Sequence, residues 1–383
     1  MRKLWNHIPP KLFPEMREEL DPLSERLVRL IHILDDLDVE TVVRLPLSGR
    51  GAPLKDRTAI ARAFVAKAVL GLPTTRALLE RLQVDRQVRQ ICGWERRDQV
   101  PSESTFSRAF AELAADRATE RLHADLIARG FDERIVGHIA RDSTEIEARE
   151  RPPTDPPDDP GAPPPAPKRP RGRPRKGQEP PPKPKTRLER QLTQSVASML
   201  AELPRHCSVG TKRNSKGHQE SWIGYKLHID VADSMVPVSA IVTSASLHDS
   251  QVAIPLARLT SERVTYLYEI MDAAYDAAAI FSDSCSAGRI PLIDSNPRSK
   301  QIKAENAAER ERRDHLNLSD AKDRRYNERT NVERAIGRIK DDFGGRFVRV
   351  RGHLKVACHL GFGIAALTAE SLIRLRASQI KAS

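Results

Sequence analysis

The residues from Tyr326 to Lys340, YNERTNVERAIGRIK, combine a carboxylate, two cations and a phenol at helical spacing. Read as one helix at about 100° per residue with Arg329 at zero, Lys340 falls at about 20°, Glu333 at about 40° and Tyr326 at about 60°. One carboxylate would then stand between groups that suit phosphate oxygens. Val332, Ala335, Ile336, Ile339 and Phe343 fall on the adjoining side and would seat the helix on a core. Arg334, Arg338 and Asp341 are expected to face solvent. The same spacing also fits an ordinary amphipathic helix in which Arg329 and Glu333 form an i,i+4 ion pair.

Chemistry at such a carboxylate needs others, and two stand at strand ends upstream. RIVGHIARDSTEIEA is rich in β-branched residues and predicts a strand ending near Asp142, although an aspartate there also suits a turn or cap. TYLYEIMDAAYD predicts a second strand ending at Asp272. Between them, SWIGYKLHIDVA and VPVSAIVTSAS alternate as two antiparallel strands turning at Asp233 and Ser234. LHDSQVAIPLARL reads as a helix opened near Asp249, which could cap it. With the strand RIPLIDSN and the late helix, the order is β, β, β, α, β, α, β, α, and Asp272 ends the fourth strand.

Tyr326, Arg329, Glu333 and Lys340, as Tyr-x2-Arg-x3-Glu-x6-Lys, resemble the signature of a large group of bacterial insertion-sequence DDE transposases. Asp142-Ser143-Thr144 is similar to that family's first motif, and Asp272 stands in Asp-Ala-Ala-Tyr-Asp, with Ala274 where the family carries glycine. His248-Asp249-Ser250 also resembles a family motif that packs near the site. The resemblance runs from about residue 75 to 370 outside a proline-rich segment. It implies an α/β fold with a ribonuclease-H-like mixed sheet, preceded by an all-α N-terminal domain. It also implies catalytic, metal-holding roles for Asp142, Asp272 and Glu333, and DNA contacts from Tyr326, Arg329 and Lys340. The expected activity is cleavage of the ends of an insertion sequence and joining to target DNA. Two Mg²⁺ ions roughly 3.5 to 4 Å apart suit that chemistry and an all-oxygen donor set, with Mn²⁺ able to substitute. Double-stranded DNA, both element ends and target, is the expected partner, bound by a dimer or higher oligomer. A catalytically inactive transposase-derived DNA-binding protein and a metal-dependent nuclease on the same fold are the alternatives.

A formal charge of +12 and a pI of about 9.7 point to an anionic polymer without separating DNA from RNA or an acidic surface. The four cysteines are far apart and form no C-x-x-C pair, which argues against a zinc ribbon and against a disulfide framework. The start, MRKLWNHIPPKLF, lacks a signal peptide's apolar region, and VACHLGFGIAALTA is too short to span a bilayer. A soluble, cytoplasmic, nucleoid-associated protein with no membrane contact is expected.

Residues 1–133 read as helices separated by turn signals such as Gly71-Leu72-Pro73, with Thr74 or Thr75 capping the next and Ser102 or Ser104 opening SESTFSRAF. They fit either a helix-turn-helix array, which the resemblance connects with binding of element ends, or a plain bundle. Residues 134–383 form the expected catalytic domain. Within it, 149–187 holds 15 of the 28 prolines and turns from acidic to basic, so an extended, mobile linker is expected. There, Pro170-Arg171-Gly172-Arg173-Pro174 resembles an AT-hook whose Arg171 and Arg173 would enter a minor groove, or it is a solvated basic spacer. Leu188 to Leu203 reads as helical.

Overall fold

A computed structural model describes residues 23–43, 55–131, 135–155, 157–161, 184–213, 217–296, 304–305, 307–308, 311–312 and 325–382. Its first part is helical: α1 (Glu25–Leu37), the single turn α2 (Val39–Val42), α3 (Arg57–Val69), α4 (Thr75–Val84), α5 (Arg86–Cys92), α6 (Glu103–Ala115) and α7 (Ala118–Gly130). Local chemistry sets the ends. Thr74 Oγ1 accepts from Ala77 N at 3.0 Å to start α4, and Asp85 Oδ1 accepts from Val88 N at 3.0 Å to start α5, which Gly93 closes at φ 111°. Ser102 precedes α6, but its hydroxyl meets Ser104 and Thr105 and makes no backbone cap. The helical run that starts at Glu103 breaks at Arg117, held at φ 48°, which turns α7 back on α6.

The second part holds β1 (Ile135–Glu147), α8 (Arg187–Gln191), α9 (Val196–Ala201), β2 (Ser208–Arg213), β3 (Gln219–Ala232), β4 (Val236–Ser244), α10 (Ser250–Ser261), β5 (Thr265–Met271), α11 (Ala278–Ser286), β6 (Ile290–Ile293), α12 (Thr330–Asp341) and α13 (His353–Ala382). The sheet is mixed, in the order β2-β3-β1-β5-β6 with β4 also paired to β3; β1, β5 and β6 are mutually parallel, and the other pairings are antiparallel. The β3–β4 hairpin turns at Ser234, φ 62°, as the sequence leads one to expect. Strand β2 is an addition, so Asp272 follows the fifth strand and not the fourth. The helical reading of Leu188 to Leu203 resolves into two short helices, the second started by Ser195 accepting from Ser198 N at 3.3 Å.

Helix α13 lies at the centre of the molecule, packed on one side against α1, α3, α6 and α7 and on the other against β4 and α12. From Val356 to Leu372 it is apolar nearly all round because both sides are covered there. A single cluster of buried side chains runs from Leu30 and Phe64 through Phe362 and Leu367 to Ile229 and Ile270. Gly361 allows the α7–α13 approach, since a Cβ there would lie 2.4 Å from Thr119 Oγ1. The fourteen residues too short to span a bilayer thus belong to a longer helix that would be long and apolar enough, but 78% of its apolar eighteen-residue window is buried inside the protein. Helices α9, α10 and α11 cover the opposite sheet face through Met199, Ile254, Met271 and Ile280.

The stretch expected to be mobile is anchored at both ends where it is described. Tyr225 donates its phenol to Glu150 at 2.5 Å, Gly352 N donates to the same carboxylate at 3.1 Å, and Asp159 pairs with the buried Arg187. Proline density excludes a core of its own but not attachment of its flanks to a core formed elsewhere. Arg171 and Arg173 lie outside the described residues.

Candidate active site

The parallel pairing of β1 with β5 joins Ile135 to Thr265 and continues to Ala140 opposite Ile270. Continued two residues further, the same register sets Asp142 level with Asp272 on neighbouring strands about 4.8 Å apart. Side chains alternate, so both carboxylates project from one sheet face, the one covered by α12 and α13. The strand does not end near Asp142 as expected: β1 runs on to Glu147, because its antiparallel partner β3 continues to Gly224 after β5 has stopped. Asp142 therefore sits where β1 loses its parallel neighbour and the sheet opens.

The backbone immediately behind is fixed by a buried ion cluster. Arg141, 1% exposed, donates through Nε and Nη2 to both oxygens of Asp230 at 2.8 Å and lies 3.5 Å from Glu269. Thr260 and Tyr266 donate to Asp230 and Glu269 at 2.6 Å each. These bonds tie β1, β3 and β5 together one residue before Asp142.

Asp142 and Asp272 each accept a single backbone bond, from Ser143 N at 2.7 Å and from Ala274 N at 2.9 Å. The segment Ala273–Tyr275 is one 3₁₀ turn, and Ala274 does not have a positive φ, so its departure from glycine strains nothing. Burial, reinforced by the charge of Asp272, pushes the Asp142 carboxyl up to about 7 despite the Ser143 bond. Burial also raises Asp272, against the pull of Ala274 N and Arg329.

Glu333 enters from α12. That helix begins at Thr330 and not at Tyr326: Asn327–Arg329 form a 3₁₀ turn, where each residue advances about 120° and not about 100°. Val332, Ala335, Ile339 and Phe343 are buried as expected. Arg338, expected to face solvent, bridges Asp342 at 2.9 Å and Glu370 of α13 at 3.0 Å. Arg329 lies among the three carboxylates, with Nη2 donating to Glu333 Oε1 at 2.6 Å and Nη1 3.7 Å from Asp142 Oδ2. The i,i+4 ion pair is thus present, with a second carboxylate attached to it. Lys340 is half-buried and donates to Glu145 Oε1 at 2.8 Å. Despite partial burial, Lys340 and Lys212 together hold Glu145 down to about 2.

Asp294 joins the same sheet edge, a residue not among those expected from the sequence. The β5–β6 register sets Met271 opposite Ile293, so Asp294 is level with Asp272 as Asp272 is with Asp142. The signal was present, since RIPLIDSN also ends an apolar strand in an aspartate. Tyr326 hydrogen-bonds to Asp294; burial first and that carboxylate second push its phenol up to about 12. The Arg329 guanidinium lies 6.0 Å from the Tyr326 ring centroid. Asp249 does not cap α10 but lies 2.9 Å from Lys226 Nζ, its charge reaching both Asp142 and Asp272.

Among the described residues, no three His, Cys, Asp or Glu side chains already converge as a metal centre. The donors nevertheless fit a hard divalent cation. Asp142 and Asp272 are level, desolvated and deficient in positive charge, and the guanidinium beside them is held by Glu333.

Residues 138–369 match the transposase DDE domain family, and residues 15–112 match a family described as a transposase domain. No curated protein and no solved structure matches the chain. A DDE domain implies a ribonuclease-H-like fold, in keeping with the mixed sheet above. More than half of the chain lies within the first match, and the chain belongs to the transposase DDE domain family.

Proposed function

We propose that the chain cleaves the ends of an insertion sequence and joins them to target DNA, with Asp142, Asp272 and Glu333 as the catalytic carboxylates. The observation that carries this reading is that Asp142 and Asp272 each follow the last β1–β5 pair, Ala140 and Ile270, by two residues and the charge of Asp272 reaches Asp142, with Glu333 joined to Asp142 through Arg329. Mg²⁺, or Mn²⁺ in its place, would supply neutralisation of the charge on the attacking and leaving oxygens of the phosphodiester. The two aspartates and Glu333 would hold it. Asp142 has to release the proton that its raised pKa retains, and Arg329 has to move off Glu333. A DNA phosphate is the natural new partner for that guanidinium, since arginine matches phosphate in a two-bond fork. Lys340 exchanges Glu145 for DNA in the same way, and Tyr326, oriented by Asp294, faces the same backbone. The helices of 1–133 bind the element ends, and the active form on double-stranded DNA is a dimer or higher oligomer.

Asp142→Asn, Asp272→Asn and Glu333→Gln should each reduce Mg²⁺-dependent cleavage of end DNA to background while DNA binding is retained. Wild-type cleavage by Glu333→Gln would sink the assignment. A second reading, a catalytically inactive DNA-binding protein, draws on Glu333 being paired with Arg329 instead of converging with the aspartates. Mg²⁺-dependent cleavage by the wild-type chain excludes it, and joining of the cut end to a second duplex excludes a plain nuclease.

A further inference from the structure

A cleft of about 450 Å³ opens where α3, α6 and α13 meet the loop between α12 and α13. Arg149 also lines it, seven residues beyond Asp142 and so roughly 20 Å along an extended chain from the carboxylates. Its floor is formed by phenylalanines of the three helices, and Arg149, Arg349, Arg351 and Lys355 stand around its mouth. The one carboxylate in its lining, Glu103, is 3.5 Å from Arg76.

Lys67 of α3 also lines the cleft, and it is only 8% exposed. Among the described residues no carboxylate pairs with it, and burial alone acts on its ammonium, drawing it down to about 8. It is therefore still a cation at neutral pH. Its neighbour His359 gives its Nε2 to Gly344 O at 3.0 Å, and burial together with Lys67 holds that imidazole at about 4, so it is neutral and adds no counter-charge. A lysine buried without an anion is unfavourable unless an anion arrives. A cleft of about 450 Å³ has room for a phosphate and the nucleoside attached to it, and its buried phenylalanines suit a sugar or base.

We propose that this cleft binds a phosphate group of a DNA strand, with Lys67 as the buried cation and Arg149, Arg349, Arg351 and Lys355 as the rim. The site is separate from the three carboxylates, and its test reads binding, so failure of the cleavage assignment leaves it standing.

Lys67→Met keeps the volume and removes the charge. The free variant should melt at or above the wild-type temperature, because no partner is lost and a desolvated charge is removed. Inorganic phosphate, which should raise the wild-type melting temperature, should no longer do so. Affinity for a duplex oligonucleotide should fall about 10-fold, with the log–log salt slope reduced by about one. Loss of the phosphate effect with unchanged DNA affinity and slope would overturn DNA as the source and leave free phosphate or a nucleotide. A variant that melts lower while both forms of binding persist would make Lys67 a structural residue and overturn the site. Should Lys67→Met fail to fold, the exposed rim change Arg349→Ala with Lys355→Ala must reproduce both losses, and intact binding by that variant overturns the proposal equally.

Discussion

At the scale of single residues, Asp142 couples proton binding to stability. Its ordinary value of 3.8 is raised to about 7 in the folded chain, first by burial and then by Asp272. Between these two pH values the folded chain keeps a proton that the unfolded chain releases, so this group's contribution to stability falls as pH rises through that window. Above it the buried anion is unfavourable unless a cation compensates. Asp142→Asn should therefore melt higher than wild type by ~2 °C or more at about pH 8, with the gap closing towards about pH 4. Addition of Mg²⁺ at the higher pH should stabilise the wild type and not the variant. Thermal melts across pH measure this, and a gap independent of pH would mean that Asp142 is not the proton holder. Comparing the two chains removes groups such as Glu145, whose depressed value acts in the opposite sense.

Elements position the aspartates through backbone that the side chains do not share. Arg141 locks β1 to β3 and β5 from behind, and breaking a buried pair of that kind costs about 3–5 kcal/mol, so its removal would confound any activity assay. Gly224 offers a cleaner probe at the far end of the same strand pair. It stands opposite Glu147 at φ 152°, and a Cβ there would lie 2.1 Å from Ile146 O. Gly224→Ala should destabilise the chain by ~1–3 kcal/mol in urea unfolding and loosen the β1–β3 ribbon beyond Asp142. A loss below about 0.5 kcal/mol would show that the ribbon shifts freely and does not fix the site.

For the whole molecule, the position of α13 governs how the two halves depend on each other. It buries Phe362 against Phe64 at 5.7 Å between ring centroids on one side and packs on β4 on the other, so the helical half and the sheet half share one core. Residues 134–383 expressed alone would expose the α13 face that α1, α3, α6 and α7 cover, an apolar patch of the kind that drives association. That fragment should aggregate in size-exclusion chromatography and recover when co-expressed with residues 1–133. A monomeric fragment with its own cooperative melt would instead make the halves independent domains.

How much was legible from sequence follows from the range over which each feature is encoded. Apolar periodicity is local, and it specified the amphipathic α12, the β3–β4 hairpin and most helices of the first part. Strand-end aspartates and the Tyr326-to-Lys340 spacing picked out Asp142, Asp272, Arg329 and Glu333, of which the fold sets Asp142 near Asp272 and Arg329 between Asp142 and Glu333. Register between strands 130 positions apart in the chain is not local, since it depends on how α10 and the Arg141 cluster pack between them. Only the tertiary structure therefore made Asp142 level with Asp272, added Asp294 to the same edge, and paired Lys340 with Glu145. Burial of a charged side chain is likewise a property of every element around it: Lys67 reads as one more cation in an alanine-rich helix, and only the packing of α6 and α13 over α3 leaves it enclosed, charged and without an anion among the described residues.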